Sequence, residues 1–212
     1  MIRERMCLIK RARNNQTAMP KKKSNLAKLN ILLGVSGGIS AYKAVDLASK
    51  LSTCGAKVRT VMTENACQLI RPKSFEAVTG QAVYTSLWNA GEEYEISHVS
   101  LAEWADIVAI VPATANIIGK AANGICDDLL STTVCTCWAK PILLAPAMNK
   151  NMWDNPAVQR NIKTVKEMGV EVIGPEKGRL ACGTKGMGRM SEPKDILEAL
   201  EKIASKIKRR KR

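Results

Sequence analysis

Short apolar runs, separated by longer segments with helical spacing, constrain the fold of this chain more than any other feature. The runs are rich in Val, Ile and Leu and mostly do not alternate with polar residues, as expected for strands covered on both faces. They are LNILLGV (29–35), KVRTVM (57–62), DIVAIV (106–111), PILLAP (141–146) and VEVI (170–173), with a weaker run, AVYT, at 82–85. Their alternation with helical segments predicts a parallel sheet of about six strands.

Three segments between or after these runs have the spacing of amphipathic helices. Ile39–Leu51 and Pro156–Met168 are followed closely by Gly55 and Gly169, which suit helix C-terminal caps. Pro193–Ile207 is predicted to be the final helix. The pattern predicts one Rossmann-like (flavodoxin-like) three-layer α/β domain, with helices on both faces of the sheet.

The two ends of the chain carry its net charge of +14, and the body between them is neutral. Residues 1–28 hold nine Lys or Arg and one acid, and residues 206–212 hold six Lys or Arg and no acid. Residues 29–205 are balanced at 18 basic and 18 acidic side chains. Since terminal blocks of like charge are usually solvated, we expect a flexible basic arm, one domain at 29–205 and a basic tail.

The body lacks the features of two classes of partner. It has no basic stripe interleaved with aromatic residues, so dedicated nucleic-acid recognition is disfavoured. No apolar run approaches the roughly 18 residues that cross a bilayer. The basic start has no apolar signal-peptide core; its Arg-rich character also fits a mitochondrial presequence, but we expect a cytoplasmic protein.

Seven cysteines are present, and no two have CxxC spacing. The odd count and the size of the chain disfavour a disulfide framework. A CxC pair has no second Cys or His pair to complete a zinc site, so no metal is predicted. Small apolar core residues are predicted at Cys54, Cys67, Cys126, Cys135 and Cys137.

The residues that follow each run are the candidate site, because ligands of open parallel sheets bind at the carboxyl ends of the strands. The first run leads into SGGISAYK (36–43), where Gly37 and Gly38 would let backbone N–H groups approach an anion at a helix N-terminus. This suits a phosphate, although the spacing is neither the dinucleotide pattern nor a P-loop. A tight strand–helix turn is the alternative.

Polar residues also follow three later strands. Thr63 could contact a ribityl chain, but a helix cap is favoured. Thr114, in PATAN (112–116), could contact the same phosphate or its ring system, or could cap a helix. Asn149, in PAMNKNMW (146–153), could hold a carboxylate through its side-chain NH₂, or could belong to a loop with a buried Met and Trp.

Two further residues are candidates for proton transfer. Cys182 lies in KGRLACGTKGMGR (177–189), where four Gly predict a mobile lid rather than a packed loop. It could be a proton donor or a nucleophile, unless this is a surface loop without function. His98, the only His, is predicted in a connection near the ligand edge, where it could be a general base or a structural residue.

These pieces, in this order over roughly residues 29–200, resemble the homo-oligomeric flavin-containing cysteine decarboxylase family. The family pattern has a Gly-rich first turn, an active-site His, a PASAN-like motif, a PxMNxxMW motif and a Cys-bearing substrate lid. Here they read GVSGGISAYK, His98, PATAN, PAMNKNMW and RLACGTKGMGR. Ser40 stands where Ala is common, and Thr114 replaces the usual Ser.

The resemblance implies FMN-dependent decarboxylation of 4′-phospho-N-pantothenoylcysteine to 4′-phosphopantetheine in coenzyme A biosynthesis. It implies that the cysteine side chain of the substrate is oxidised to a thioaldehyde, with His98 as the base, and that CO₂ then leaves easily. In the reductive half of the reaction, Cys182 would donate a proton. Asn149 would bind the substrate carboxylate and Met152 would shape the pocket. Other substrate contacts would come from Arg179, Leu180, Ala181 and Gly186. FMN would be held by Gly37, Gly38, Ile39, Thr63, Thr114, Ala115, Asn116 and Ala147.

The resemblance also implies a trimer, or an assembly of trimers, with flavin sites between subunits. The synthetase fused to bacterial members is expected as a separate protein, unless this chain is a fragment of a bifunctional one. One alternative is a decarboxylase of a peptidyl C-terminal cysteine, against which the LACG lid weighs. Others are a non-catalytic regulatory relative that binds flavin and a flavodoxin-like electron carrier, which needs neither the His nor the Cys lid.

Overall fold

A six-stranded parallel sheet forms the centre of the protein. The computed structural model describes residues 24–88, 97–179, 181 and 183–210. The strands lie in the order β3-β2-β1-β4-β5-β6, and every neighbouring pair is parallel. They are β1 (Asn30–Val35), β2 (Lys57–Met62), β3 (Val83–Tyr84), β4 (Ile107–Ala113), β5 (Ile142–Pro146) and β6 (Glu171–Val172). All six predicted strands and the Rossmann-like fold are confirmed.

Helices cover both faces of the sheet. Within the described ranges they are α1 (Ala41–Thr53), α2 (Glu64–Leu69), α3 (Pro72–Thr79), α4 (Ser97–Trp104), α5 (Ala115–Asn123), α6 (Leu129–Thr136), α7 (Lys150–Trp153), α8 (Pro156–Glu167) and α9 (Pro193–Arg210). Gly55 and Gly169 follow α1 and α8 with φ of 82° and 88°, as their cap role requires. No helix of the described part is long and apolar enough to cross a membrane.

The apolar strands are explained by the two layers that they separate. Ile31, Leu33 and Val35 of β1 pack on the side of α1 and α9, whereas Leu32 packs on the side of α5 and α6. In β4, every residue is buried. Because both faces of the sheet are covered, the central strands β1, β4 and β5 have no polar face, and their sequences do not alternate.

Both ends of the ordered domain lie beyond the predicted boundaries. Leu26 is fully buried, and the Asn25 N–H donates to Glu201 Oε2 at 2.9 Å, so the domain includes residues that we had assigned to the arm. The last helix continues to Arg210 through most of the predicted tail, with Lys206 Nζ 2.7 Å from Glu171 Oε1. The flexible arm stays a prediction for residues 1–23, which lie outside the described residues.

The Gly-rich segment is more regular than predicted. Its flanks form an antiparallel hairpin of β7 (Glu176–Arg179) and β8 (Lys185–Arg189). An ion pair of 2.9 Å between Glu176 Oε2 and Arg189 Nη2 closes its base. The hairpin was missed because a Gly-rich sequence lacks the β-branched and aromatic residues that mark strands.

The prediction that five cysteines fill the core is wrong for two of them. Cys137 is buried and Cys54 and Cys67 are half-buried, but Cys126 and Cys135 are exposed. Cys126 lies in the loop that precedes α6, and Cys135 lies on the outer side of that helix. An apolar sequence context therefore did not reveal which side chains face solvent.

Candidate active-site cleft

A cleft of about 1130 Å³ opens beside the carboxyl ends of β1 and β4. These strands are neighbours, and the order of the sheet reverses between them, which makes this the switch point where open α/β sheets bind ligands. Its walls come from the segments that follow β1, β2, β4 and β5, together with the hairpin β7–β8.

Most of the site residues predicted from the sequence line this one cleft. The cleft is lined by all eight residues that were predicted to contact the cofactor: Gly37, Gly38, Ile39, Thr63, Thr114, Ala115, Asn116 and Ala147. Four of the predicted substrate contacts also line it: Asn149, Met152, Arg179 and Ala181. Motifs that are far apart in sequence thus meet at one edge of the sheet.

Two of the predicted site residues that the structure describes, His98 and Gly186, are not part of this cleft wall. His98 lies in the first turn of α4, half-buried, and does not line the cleft of the single chain. Gly186 is buried against Lys150, where an added Cβ would lie 2.7 Å from Lys150 Cδ. Leu180 and Cys182 lie outside the described residues.

A buried serine, missed by the sequence reasoning, joins the two strand ends that flank the cleft. Ser36 is 2% exposed, and its hydroxyl donates to Pro112 O at 2.8 Å. The same oxygen accepts from the Thr114 backbone N–H at 3.0 Å and lies 3.1 Å from Thr114 Oγ1. Thr114 occupies the N-cap position of α5, but its side chain makes no cap hydrogen bond.

The Gly-rich turn after β1 also packs closely against the first turn of α2, which follows β2. A Cβ added to Gly37 would lie 2.5 Å from Asn65 Cβ and 3.0 Å from the Asn65 backbone, so only glycine fits there. Thr63 caps α2, as predicted, because its hydroxyl accepts from the Ala66 N–H at 3.2 Å. Three strand ends therefore form one wall of the cleft.

Two buried donors in this cleft lack a partner among the described residues. They are Ser40 Oγ and Arg189 Nε, and both residues line the cleft. Such atoms are costly unless a ligand or water satisfies them. Ser40 is the N-cap residue of α1, whose N-terminus favours negative charge. This end of the cleft therefore favours an anion over a cation.

Charged side chains connect the first helix to the hairpin. Lys43 Nζ lies 2.8 Å from Glu192 Oε1, and Arg189 Nη2 lies 3.3 Å from the same oxygen. Lys43 and Arg189 both line the cleft, and the Lys43 side chain is only 14% exposed. These contacts hold two cations at the hairpin side of the cleft.

A second charged cluster lines another part of the cleft. Lys120 Nζ lies 2.6 Å from both Asp127 Oδ1 and Asp128 Oδ2. The hydrogen bond from Lys120 lowers the pKa of Asp127 below its ordinary value, so the carboxylate stays charged at neutral pH. The cluster joins α5 to the loop in front of α6.

The hairpin docks on the loop that carries Asn149. The Met148 N–H donates to Gly188 O at 3.0 Å. Gly188 has φ of +134°, and an added Cβ would lie 2.2 Å from Met148 O. Asn149 Oδ1 accepts from the Asn151 N–H at 2.8 Å, which orients the side-chain amide. The hairpin and the amide-rich loop therefore form one unit over the cleft.

Comparison with known proteins identifies the family. The sequence profile described as flavoprotein matches residues 19–205. The chain belongs to the flavoprotein family. A curated relative of this flavoprotein, the coenzyme A biosynthesis bifunctional protein CoaBC of Bacillus subtilis, is 49% identical over 173 residues. That match covers 82% of this chain and 42% of the relative, so the chain spans less than half of the relative's length.

Solved structures are similar to this flavoprotein in fold as well as in sequence. A cysteine-to-serine mutant of PPC decarboxylase, in complex with pantothenoylaminoethenethiol, superposes with a TM-score of 0.74 at 34% identity. It covers 82% of this chain and 96% of that one. The FMN-dependent cysteine decarboxylase SpaF superposes with a TM-score of 0.73 at 36% identity, covering 85% and 99% of the two chains.

We expect Gly188→Ala to lower the free energy of unfolding by about 1–3 kcal/mol, because the new Cβ would strain the backbone or displace the hairpin from Met148 O. The matched control is Gly119→Ala within α5, where the nearest atom is Asn161 Nδ2 at 3.4 Å. It should leave stability unchanged or raise it by up to about 1 kcal/mol. Urea denaturation measures both; equal stabilities would contradict the docking contact.

Proposed function

We propose that this flavoprotein catalyses FMN-dependent decarboxylation of 4′-phospho-N-pantothenoylcysteine to 4′-phosphopantetheine, in coenzyme A biosynthesis. The observation that carries the proposal is the convergence of the Gly-rich turn, PATAN and PAMNKNMW on one cleft at the switch point of the sheet. The likeness to CoaBC and to a PPC decarboxylase structure supports the choice of substrate.

The phosphate of FMN fits the part of the cleft that is formed by the Gly-rich turn between β1 and α1. Ser40 Oγ and Arg189 Nε are donors without a partner among the described residues, and Gly37 and Gly38 line the cleft at the N-terminal side of α1. The remaining contacts to FMN come from residues that follow β2, β4 and β5, named above. Bound FMN supplies the two-electron oxidation of the substrate's cysteine side and the later return of those electrons.

The chain's own side chains bind the substrate and move its protons. Asn149 donates its NH₂ to the substrate carboxylate while its oxygen is held by the Asn151 N–H. Met152 lies beside it and shapes the pocket. His98 accepts a proton in the oxidative half, and Cys182 donates one in the reductive half. Because CO₂ leaves between these halves, loss of Cys182 would stop the reaction after decarboxylation.

The working unit is a homo-oligomer, a trimer or an assembly of trimers, in which His98 of one copy reaches the cleft of its neighbour. Two observations support this. His98 does not line the cleft of its own chain. Three apolar residues that do line it are largely exposed: Ile39, Tyr42 and Met152, at 64%, 62% and 46%. Such apolar exposure is typical of surfaces that a partner covers. We place this assembly in the cytoplasm, with no membrane or nucleic-acid partner.

Decarboxylation of a different cysteine substrate, such as a peptidyl C-terminal cysteine, is the second candidate, because the FMN-dependent cysteine decarboxylase SpaF has nearly the same TM-score as the PPC decarboxylase. Both reactions would use the same cleft residues. They differ in the substrate beyond the cysteine end, so a direct test with the two substrates distinguishes them.

We expect anaerobic turnover of 4′-phospho-N-pantothenoylcysteine to release CO₂ and form 4′-phosphopantetheine. Cys182→Ser should release CO₂ and accumulate the oxidised, decarboxylated species, because the last protonation is lost. His98→Asn should release none. Product mass and CO₂ are followed together, with a C-terminal cysteine peptide in parallel. CO₂ from the peptide alone would reject the phosphopantothenoyl substrate, and CO₂ from neither would reject the decarboxylase.

Shared sites can be tested by complementation. His98→Asn and Asn149→Asp should each be inactive; the second keeps the oxygen that caps α7 and loses the NH₂ that binds the carboxylate. Co-expressed in equal amounts, they should regain about a quarter of wild-type activity, because random assembly pairs an intact His98 with an intact Asn149 in that fraction of sites. If activity stays absent in mixed oligomers, both residues act within one copy.

A further inference from the structure

One carboxylate oxygen joins two cations that line the cleft. Lys43 Nζ lies 2.8 Å from Glu192 Oε1, and Arg189 Nη2 lies 3.3 Å from the same oxygen. Lys43 belongs to α1, Arg189 is the last residue of β8, and Glu192 directly precedes α9. Glu192 therefore connects three elements at the hairpin side of the cleft, and the reaction proposed above gives it no role.

The acidic residues of this network are not part of the cleft wall. Lys43 and Arg189 line the cleft, whereas Glu192 and Glu176 do not. Glu176 Oε2 lies 2.9 Å from Arg189 Nη2 and pairs with it across the base of the hairpin. The cleft is therefore lined here by the two cations, with their carboxylate partners outside its wall.

The charged cluster around Lys120 has the opposite arrangement. Asp127 and Asp128 pair with this lysine at 2.6 Å, and all three residues line the cleft. Two carboxylates on the wall outweigh one cation, so an anionic ligand is repelled there. The hairpin side is the part of the cleft that suits an anion.

The side chain of Arg189 is held in one orientation. Its Nη2 pairs with both Glu176 and Glu192, and the guanidinium is planar and rigid. The same side chain lies across Gly178 of β7, where an added Cβ would be 2.9 Å from Arg189 Cδ and 3.1 Å from Nε. Lys43 has a flexible stem, so its contact with Glu192 limits where its charge lies.

We propose that Glu192 is a positioning residue, which holds Lys43 and Arg189 side by side as a binding pair for a phosphate group. A phosphate has oxygens for both cations, and hydrogen bonds between charged groups are strong. Glu192 acts through the two cations and does not touch the ligand. This inference rests on the proposed function, whose cofactor and substrate both carry a phosphate monoester.

The test uses Glu192→Asp in the full-length protein. The variant keeps the negative charge but is one methylene shorter, so one oxygen no longer reaches both cations. Two ratios are compared with the wild type. The first is the dissociation constant of riboflavin over that of FMN, measured on the flavin-free protein. The second is kcat/KM for 4′-phospho-N-pantothenoylcysteine over that for N-pantothenoylcysteine, measured on the FMN-loaded protein.

We expect one of the two ratios to fall about tenfold, the effect of losing roughly one charge-assisted hydrogen bond to the phosphate. A fall in the first ratio assigns the pair to the phosphate of FMN, and a fall in the second assigns it to the phosphate of the substrate. A merely structural role would weaken both members of a ratio equally and leave the ratio unchanged.

Two further variants serve as controls. Glu171→Asp shortens a carboxylate that pairs with Lys206 at 2.7 Å and is 45% exposed, against 43% for Glu192. It lies outside the cleft wall, so both ratios should stay at the wild-type value. Glu192→Gln keeps the length and an acceptor oxygen, so the ratio that falls in Glu192→Asp should be higher in this variant.

Three results would overturn the inference: both ratios near one in the wild type, neither ratio lowered by Glu192→Asp, or a ratio for Glu192→Gln no higher than that for Glu192→Asp. Absence of turnover would contradict the proposed decarboxylation but not this inference, because the flavin ratio needs no turnover. In that case an unchanged flavin ratio in Glu192→Asp overturns the positioning role by itself.

Discussion

The hydroxyl of Ser36 connects the two segments between which the cleft opens. It joins residues 76 and 78 positions away in sequence: Pro112, near the carboxyl end of β4, and Thr114, just beyond that end. Since Ser36 is only 2% exposed, water competes little for these hydrogen bonds, and their loss would leave the Thr114 backbone N–H without this acceptor. The rest of the site depends on these hydrogen bonds, because they hold the Gly-rich turn after β1 at a fixed distance from the PATAN segment.

The sheet order and the hairpin then complete the cleft. The switch between β1 and β4 leaves a gap above the sheet, and the segment after β5 lies at its edge. Gly188 lets the hairpin pack directly on Met148, so the amide-rich loop and the hairpin cannot move far apart without losing a hydrogen bond. Among the described residues, Ser40 Oγ and Arg189 Nε are buried donors without a partner, and both residues line the cleft.

Local signals predicted the frame and much of the cleft. Apolar runs predicted all six strands, since a strand covered on both faces has few polar residues, and the family resemblance named eight candidate cofactor residues that all line the cleft. Features set by long-range packing were missed: the role of Ser36, the hairpin, and the ion pairs of Lys120. The exposure of Cys126 and Cys135 was mispredicted because an apolar context does not show which face of a helix packs.

The central claim is that the cleft at the switch point binds FMN through a phosphate site at the first turn. The most direct test is to measure the dissociation constants of FMN and riboflavin for the flavin-free protein by fluorescence quenching. Two charge-assisted hydrogen bonds to the phosphate predict that FMN binds about 100-fold more tightly, or more, than riboflavin. Equal affinities for the two flavins would contradict a phosphate site formed by the turn, Ser40 and Arg189.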